Sequence, residues 1–183
     1  MTTKETPKEA LVYNFPHAID TVFKEITSEE YVNDRAKWNI VDEVTADIKP
    51  DANGGVVMDL DRYIVRDYPK ALKHLLPAKT HMTHVETWER DGTGWKGTYD
   101  VDVLASPVTV SSEFTLKRQG VGCQLRIIHT ATAKIPLLGR RVEKYILGQT
   151  RSQFRDQLSY LDMRLAGVPD LLPRDTSRYP LPE

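Results

Sequence analysis

Apolar and polar residues along this chain follow two different periods, and the switch between them divides the sequence. Across residues 38–135 most apolar positions recur at every second residue, the spacing of a strand with one buried face. Trp38, Ile40, Val44, Ala46 and Ile48 form the first such run, interrupted only at Asp42. Further runs follow at 56–66, 81–90, 95–104, 108–118 and 124–135. Between them lie turn signals: Pro50-Asp51-Ala52-Asn53-Gly54-Gly55, Asp91-Gly92, Pro107 and Gly120-Val121-Gly122. Asp67-Tyr68-Pro69 breaks one connection, and 69–76 reads as a helical turn or two closed by Pro77. Strands joined by short turns pair antiparallel, because parallel pairing needs long crossovers. The six runs therefore make a meander, and Ala10-Leu11-Val12-Tyr13-Asn14-Phe15 adds a seventh strand, ended by Pro16.

The helical period appears in three places. Ile19, Val22, Phe23 and Ile26 form one stripe within 17–27. Ser28 followed by Glu29 and Glu30 reads as an N-cap with an acidic first turn, opening a second short helix over 29–37. The third stretch, 140–165, has no proline and only Gly148 as a glycine. At 1.5 Å per residue it is roughly 40 Å long. Leu147, Phe154, Leu158, Leu161 and Leu165 share one narrow arc of it. Val142, Tyr145, Ile146, Tyr160 and Met163 share another, mixed with Gln149 and Gln153. Strands of about ten residues span roughly 33 Å, which matches the helix. The economical solution is an α+β fold: a curved antiparallel sheet of seven strands wrapped around a long C-terminal helix, with two short helices after the first strand. The domain runs over 9–166, between a polar lead (1–8) and a proline-rich tail (167–183) expected to be extended.

Composition narrows the function classes. At 183 residues one domain is expected. The 25 basic residues nearly balance the 26 acidic ones, which argues against nucleic acid as a partner. The single cysteine, Cys123, cannot form an internal disulfide, and a cytoplasmic setting is expected. The first ten residues carry no apolar signal core, and no stretch is apolar enough for stable membrane insertion. Oligomeric state is not fixed by any of these features.

Chemical motifs are sparse. Gly92-Thr93-Gly94-Trp95-Lys96-Gly97 has the spacing of a dinucleotide loop, but a strand follows it where a helix is required. A hairpin fits instead. With Asp91-Gly92 as a two-residue loop, Trp88 faces Trp95, Glu86 faces Gly97, His84 faces Tyr99 and Met82 faces Val101; a longer loop shifts this register. One face of the hairpin then carries His84, Glu86, Trp88, Trp95 and Tyr99, with space left by Gly97 opposite Glu86. Arg62 shares strand parity with Met58, Leu60 and Ile64, so it points inward and needs an acidic partner or an anionic ligand, with Glu86 a candidate partner. His129 shares parity with Leu125 and Ile127. Ser112 lies mid-strand with no sign of activation. His81 and His84 point to opposite faces and cannot chelate one metal together. No metal or cofactor is expected, and no catalytic set is marked.

The run Glu86-Thr87-Trp88, then Gly94-Trp95-x-Gly97-Thr98-Tyr99-x-Val101-x-Val103, resembles an uncharacterised branch of the START-like helix-grip superfamily. Lys134-Ile135-Pro136-Leu137-Leu138-Gly139 with Val142-Glu143-Lys144 carries the same resemblance. That superfamily includes the birch-pollen-allergen type, polyketide cyclases and START lipid-transfer domains. The resemblance implies the same sheet wrapped around the C-terminal helix, and binding of a hydrophobic small molecule or lipid between them. The expected site comprises Arg62, His84, Glu86, Trp88, Trp95, Tyr99, Ser112 and His129 from the sheet. Ile146 and Gln149 on the second helix arc would lie at its entrance. Two alternatives remain: a cyclase- or dehydratase-type enzyme using Glu86, His84 or His129, and a protein-interaction or chaperone-cofactor module using the second arc or the tail.

Overall fold

Each alternating segment places its apolar side chains on one face, and no strand can cover that face alone, so the segments assemble into a single sheet. The structure, a computed structural model, describes residues 8–37, 41–65, 70, 73, 79–104 and 106–168. In chain order the elements are β1 (Lys8–Phe15), α1 (Ile19–Ile26), α2 (Glu29–Lys37), β2 (Val41–Pro50), β3 (Val56–Val65), β4 (Lys79–Asp91), β5 (Gly94–Val103), β6 (Val108–Gln119), β7 (Gly122–Ala133) and α3 (Gly139–Leu165). The seven strands lie in the order β1-β7-β6-β5-β4-β3-β2. All six neighbouring pairs are antiparallel. The meander is as expected, and β1 joins it beside β7. The register between β2 and β3 shifts between Val41 and Val44, where Asp42 interrupts the alternation. The helical turn expected over 69–76 lies outside the described residues except at Lys70 and Lys73, and so does the tail beyond residue 168.

The inner face of the sheet is closed by α3, which packs mainly on β7 and β1. Leu147, Phe154, Leu158 and Leu161 are buried there, as their common arc predicts. The second arc is also largely buried: Val142, Ile146 and Tyr160 are enclosed, while Met163 stays exposed. Tyr160 stacks on Tyr31 of α2 and donates a hydrogen bond to Asp34 at 2.9 Å, so this part of the arc packs on the short helices. Ser28 caps α2 by accepting the Tyr31 N–H at 3.2 Å. α1 buries Ile19, Val22 and Ile26.

The β4–β5 hairpin corrects the expected pairing. Asp91 pairs with Gly94, so the loop is Gly92-Thr93 rather than Asp91-Gly92. An Asp91-Gly92 loop and a Gly92-Thr93 loop both suit a glycine at residue 92, so pairing in the assembled sheet decides between them. In the observed loop Gly92 takes the left-handed position, at φ 59°. Trp88 therefore faces Gly97, Glu86 faces Tyr99, and His84 faces Val101. The slip is two residues, so every side chain keeps its expected face. The space expected opposite Glu86 is also relocated: it lies beneath Trp88, whose ring would sit 3.1 Å from a Cβ at residue 97. Among the described residues no helix is long and apolar enough to cross a membrane.

Candidate functional site

Strand alternation and register together place a row of polar groups across the inner face. Glu86 pairs with Tyr99, Tyr99 with Ser112, and Ser112 with His129, one residue from each of β4, β5, β6 and β7. His84 is two residues before Glu86 on the same face, and Arg62 enters from β3, opposite Met82. Glu86 and His129 are 0% exposed, His84 and Ser112 2%, and Arg62 6%. A buried charge is costly unless it is matched, so the partners of these groups decide what the site is.

Glu86 is matched by a residue the sequence did not mark. Arg35 of α2 donates to its Oε2 at 2.8 Å, and the Trp88 indole N–H donates to its Oε1 at 2.7 Å. The expected Arg62–Glu86 pair is therefore incorrect. Arg62 donates instead to the Tyr99 hydroxyl at 3.3 Å. Tertiary packing is the reason: Tyr31 and Arg35 are four residues apart and share one face of α2. The Tyr31 hydroxyl donates to the main-chain carbonyl of Gln157 at 3.0 Å, which fixes that face between β4 and α3. Burial alone would lower the Arg35 pKa, but the adjacent Glu86 carboxylate outweighs it and raises the value.

His84 has a different environment. Burial, followed by the charges of Arg62 and Arg35, holds its pKa well below the ordinary value of 6.5. Its ring lies 4.8 Å from that of Tyr99. Among the described residues neither of its nitrogens meets a hydrogen-bond partner. It lines a cavity of ≈ 10 Å³ with Arg35, Leu60, Arg62, Tyr99 and Gln157. A second cavity of ≈ 10 Å³ adjoins it, with a mainly apolar wall that includes Trp88, Phe114, Leu125, Phe154 and Leu158. Arg35 and Gln157 line both cavities. Each is about the size of one water molecule.

The remaining expected residues divide between this centre and other places. Ser112 and His129 bond to each other, with Oγ and Nδ1 2.8 Å apart. Burial and then Arg151 lower the His129 pKa to about 4, so its imidazole is a poor base. Neither residue lines the two cavities. No hydrogen bond joins any two of Glu86, His84 and His129 among the described residues. Trp95 lies at the hairpin end, sandwiched between the Phe23 ring at 3.4 Å and the Arg90 guanidinium at 4.0 Å. Ile146 is buried and Gln149 half-buried, and neither lines the two cavities. Arg35, Tyr31 and Gln157 were missed. Gln157 carried a visible signal: it is a polar residue on the border between the two apolar arcs, flanked by Leu161 and Ile146. Among the described residues no group of three or more His, Cys, Asp or Glu side chains is placed to hold a metal ion.

Comparisons with known proteins agree with this architecture. The family model of a protein of unknown function, DUF2505, matches residues 11–165. None of the curated proteins matches the sequence. Among solved structures, TTHA0849 from Thermus thermophilus superposes with a TM-score of 0.61 at 13% identity, covering 90% of this chain and 100% of that one. A START superfamily protein from Mycobacterium smegmatis gives 0.54 at 11% identity, covering 88% and 98%. Norcoclaurine synthase from Thalictrum flavum, in complex with dopamine and hydroxybenzaldehyde, gives 0.57 at 11% identity, covering 91% and 90%. The chain belongs to the DUF2505 family, an uncharacterised branch of the START-like helix-grip fold.

Proposed function

We propose that this protein binds a hydrophobic small molecule or lipid between the sheet and α3. The observation that carries this reading is the amphipathic interior. An apolar cavity and a polar cavity adjoin under the long helix, sharing Arg35 and Gln157. Packing alone does not call for buried arginines and a histidine that meets no hydrogen-bond partner among the described residues, since apolar residues of similar volume stabilise a core at least as well. Apolar walls with a few convergent polar groups are the usual make-up of a small-molecule site. The complex of norcoclaurine synthase with two small aromatic molecules supports the reading by analogy of fold. Because each cavity is ≈ 10 Å³, a ligand of more than a few atoms displaces Phe154 or Gln157 from the inner face of α3 as it enters. Cys123 is buried and forms no disulfide, which suits a cytoplasmic setting.

Titration of the purified chain with the neutral fluorophore N-phenyl-1-naphthylamine tests the reading, alongside mass spectrometry of solvent extracts of the denatured protein. Saturable binding with a blue-shifted emission, or one recurrent co-purified molecule, is expected. Absence of both would overturn it.

A further inference from the structure

The polar cavity is rich in donors. Two guanidinium groups border it, those of Arg35 and Arg62. Among the described residues that line the two cavities the one carboxylate is that of Glu86, in the neighbouring compartment, and each of its oxygens is already engaged, one by Arg35 and one by Trp88. The Tyr99 hydroxyl accepts a hydrogen bond from Arg62, which directs its own proton elsewhere as a donor. His84 is 2% exposed, lines the cavity, and has no partner on either nitrogen among the described residues. A neutral imidazole supplies one N–H donor there. Most buried polar groups in native proteins are hydrogen-bonded, and one without a protein partner calls for an explanation.

We propose that the molecule held between sheet and α3 is an amphiphilic acid, with its carboxylate against Arg62, His84 and Tyr99 and its apolar body in the adjoining compartment beside Phe114 and Phe154. This rests on the binding role proposed above. A carboxylate is all acceptor and accepts several hydrogen bonds at once. Charge-assisted bonds to it are stronger than those to an ester or alcohol in the same place. A single negative charge is also the smallest anionic head, and it needs the least enlargement of a cavity of ≈ 10 Å³. Gln157, common to both cavities, stands at the junction of head and body.

The test is displacement of N-phenyl-1-naphthylamine from the full chain by decanoate, and separately by methyl decanoate. Decanoate is expected to bind at least about tenfold tighter than its ester. His84→Phe, which keeps the ring volume, and Tyr99→Phe, which removes one hydroxyl, should each shrink that ratio. Arg164→Ala, at the far end of α3, should leave it unchanged. Equal displacement by acid and ester, or a ratio untouched in both ring variants, overturns the acidic-head assignment while the binding role stands. Failure of the fluorophore to bind, with no recurrent co-purified molecule, removes the binding role, and the assignment with it.

Discussion

The C-terminal end of α3 and the space under its middle hold arginine in opposite ways. At the end, Arg164 is surrounded by acids from both short helices. It donates to Glu25 through Nε at 2.9 Å and to Asp34 through Nη1 at 2.7 Å, with Glu30 3.5 Å away. A hydrogen bond with Tyr160 and the nearby Glu25 raise its pKa. Under the middle of the same helix, Arg35 and Arg62 border cavities whose described walls contain one carboxylate, Glu86. Among the described residues, acids outnumber the cation at the rim, and cations outnumber the acid in the cavity walls. A surplus of acid at a half-exposed rim is screened by solvent and holds α1, α2 and α3 together. Inside, where solvent does not screen, each charge depends on the partner packed against it, as Arg35 does on Glu86.

Three measurements sharpen or break this contrast. The largest effect is expected at Glu86. Glu86→Gln leaves Arg35 buried beside a neutral group and should cost about 3–5 kcal/mol in chemical denaturation. Arg35→Met should cost a similar amount, and the double variant Glu86→Leu/Arg35→Met less than the two single losses added, because the pair is coupled. A loss under about 1 kcal/mol for Glu86→Gln would mean that Arg35 has another anion and that the contrast with the rim fails.

Acidification comes next. His129 has a folded pKa of about 4 against an ordinary 6.5, and that of His84 also lies well below 6.5. Between these values the unfolded chain takes up protons that the folded chain refuses. Stability is therefore complete above pH 6.5 and falls as pH drops toward 4, by roughly 3 kcal/mol from His129 alone. His129→Gln should flatten that part of the profile. A flat profile in the parent protein would show that these rings are hydrated.

Arg164→Ala should have the smallest effect, about 1–2 kcal/mol, and the loss should shrink as salt is raised. A loss as large as that of Glu86→Gln would erase the distinction between rim and interior.

Which polar residues of the candidate site face inward was legible in the amino-acid pattern, because strand parity is a local property. Arg62, His84, Glu86, Tyr99 and His129 all face inward, as alternation with Met58, Leu60, Leu125 and Ile127 required. Parity says which face a residue occupies but not how far along the sheet it lies. Trp95 is on the inner face yet sits under Phe23 at the hairpin end, away from the cavities. The hairpin register was open by two residues because Asp91-Gly92-Thr93-Gly94 contains two plausible loops. Gly92 suits both, so only the pairing of β4 with β5 in the assembled sheet selects between them. The Glu86 partner was hidden because Arg35 is distant in sequence and reaches β4 only when α2 docks on α3 through Tyr31 and Gln157.

By itself, the sequence determined the order of elements, the antiparallel meander, the length match between strands and α3, the Ser28 cap and the inward face of each strand. These follow from periods of two and 3.6 residues and from turn chemistry, which act over a few residues at a time. Tertiary structure decided which charges meet. The distance between Arg35 and Glu86 depends on how separate elements pack, and at protein dielectric a few ångströms separate a matched ion pair from an unmatched one. That is why the sequence could place the polar groups inside, while only the fold could reveal that Glu86 is fully engaged and that the His84 ring meets no hydrogen-bond partner among the described residues.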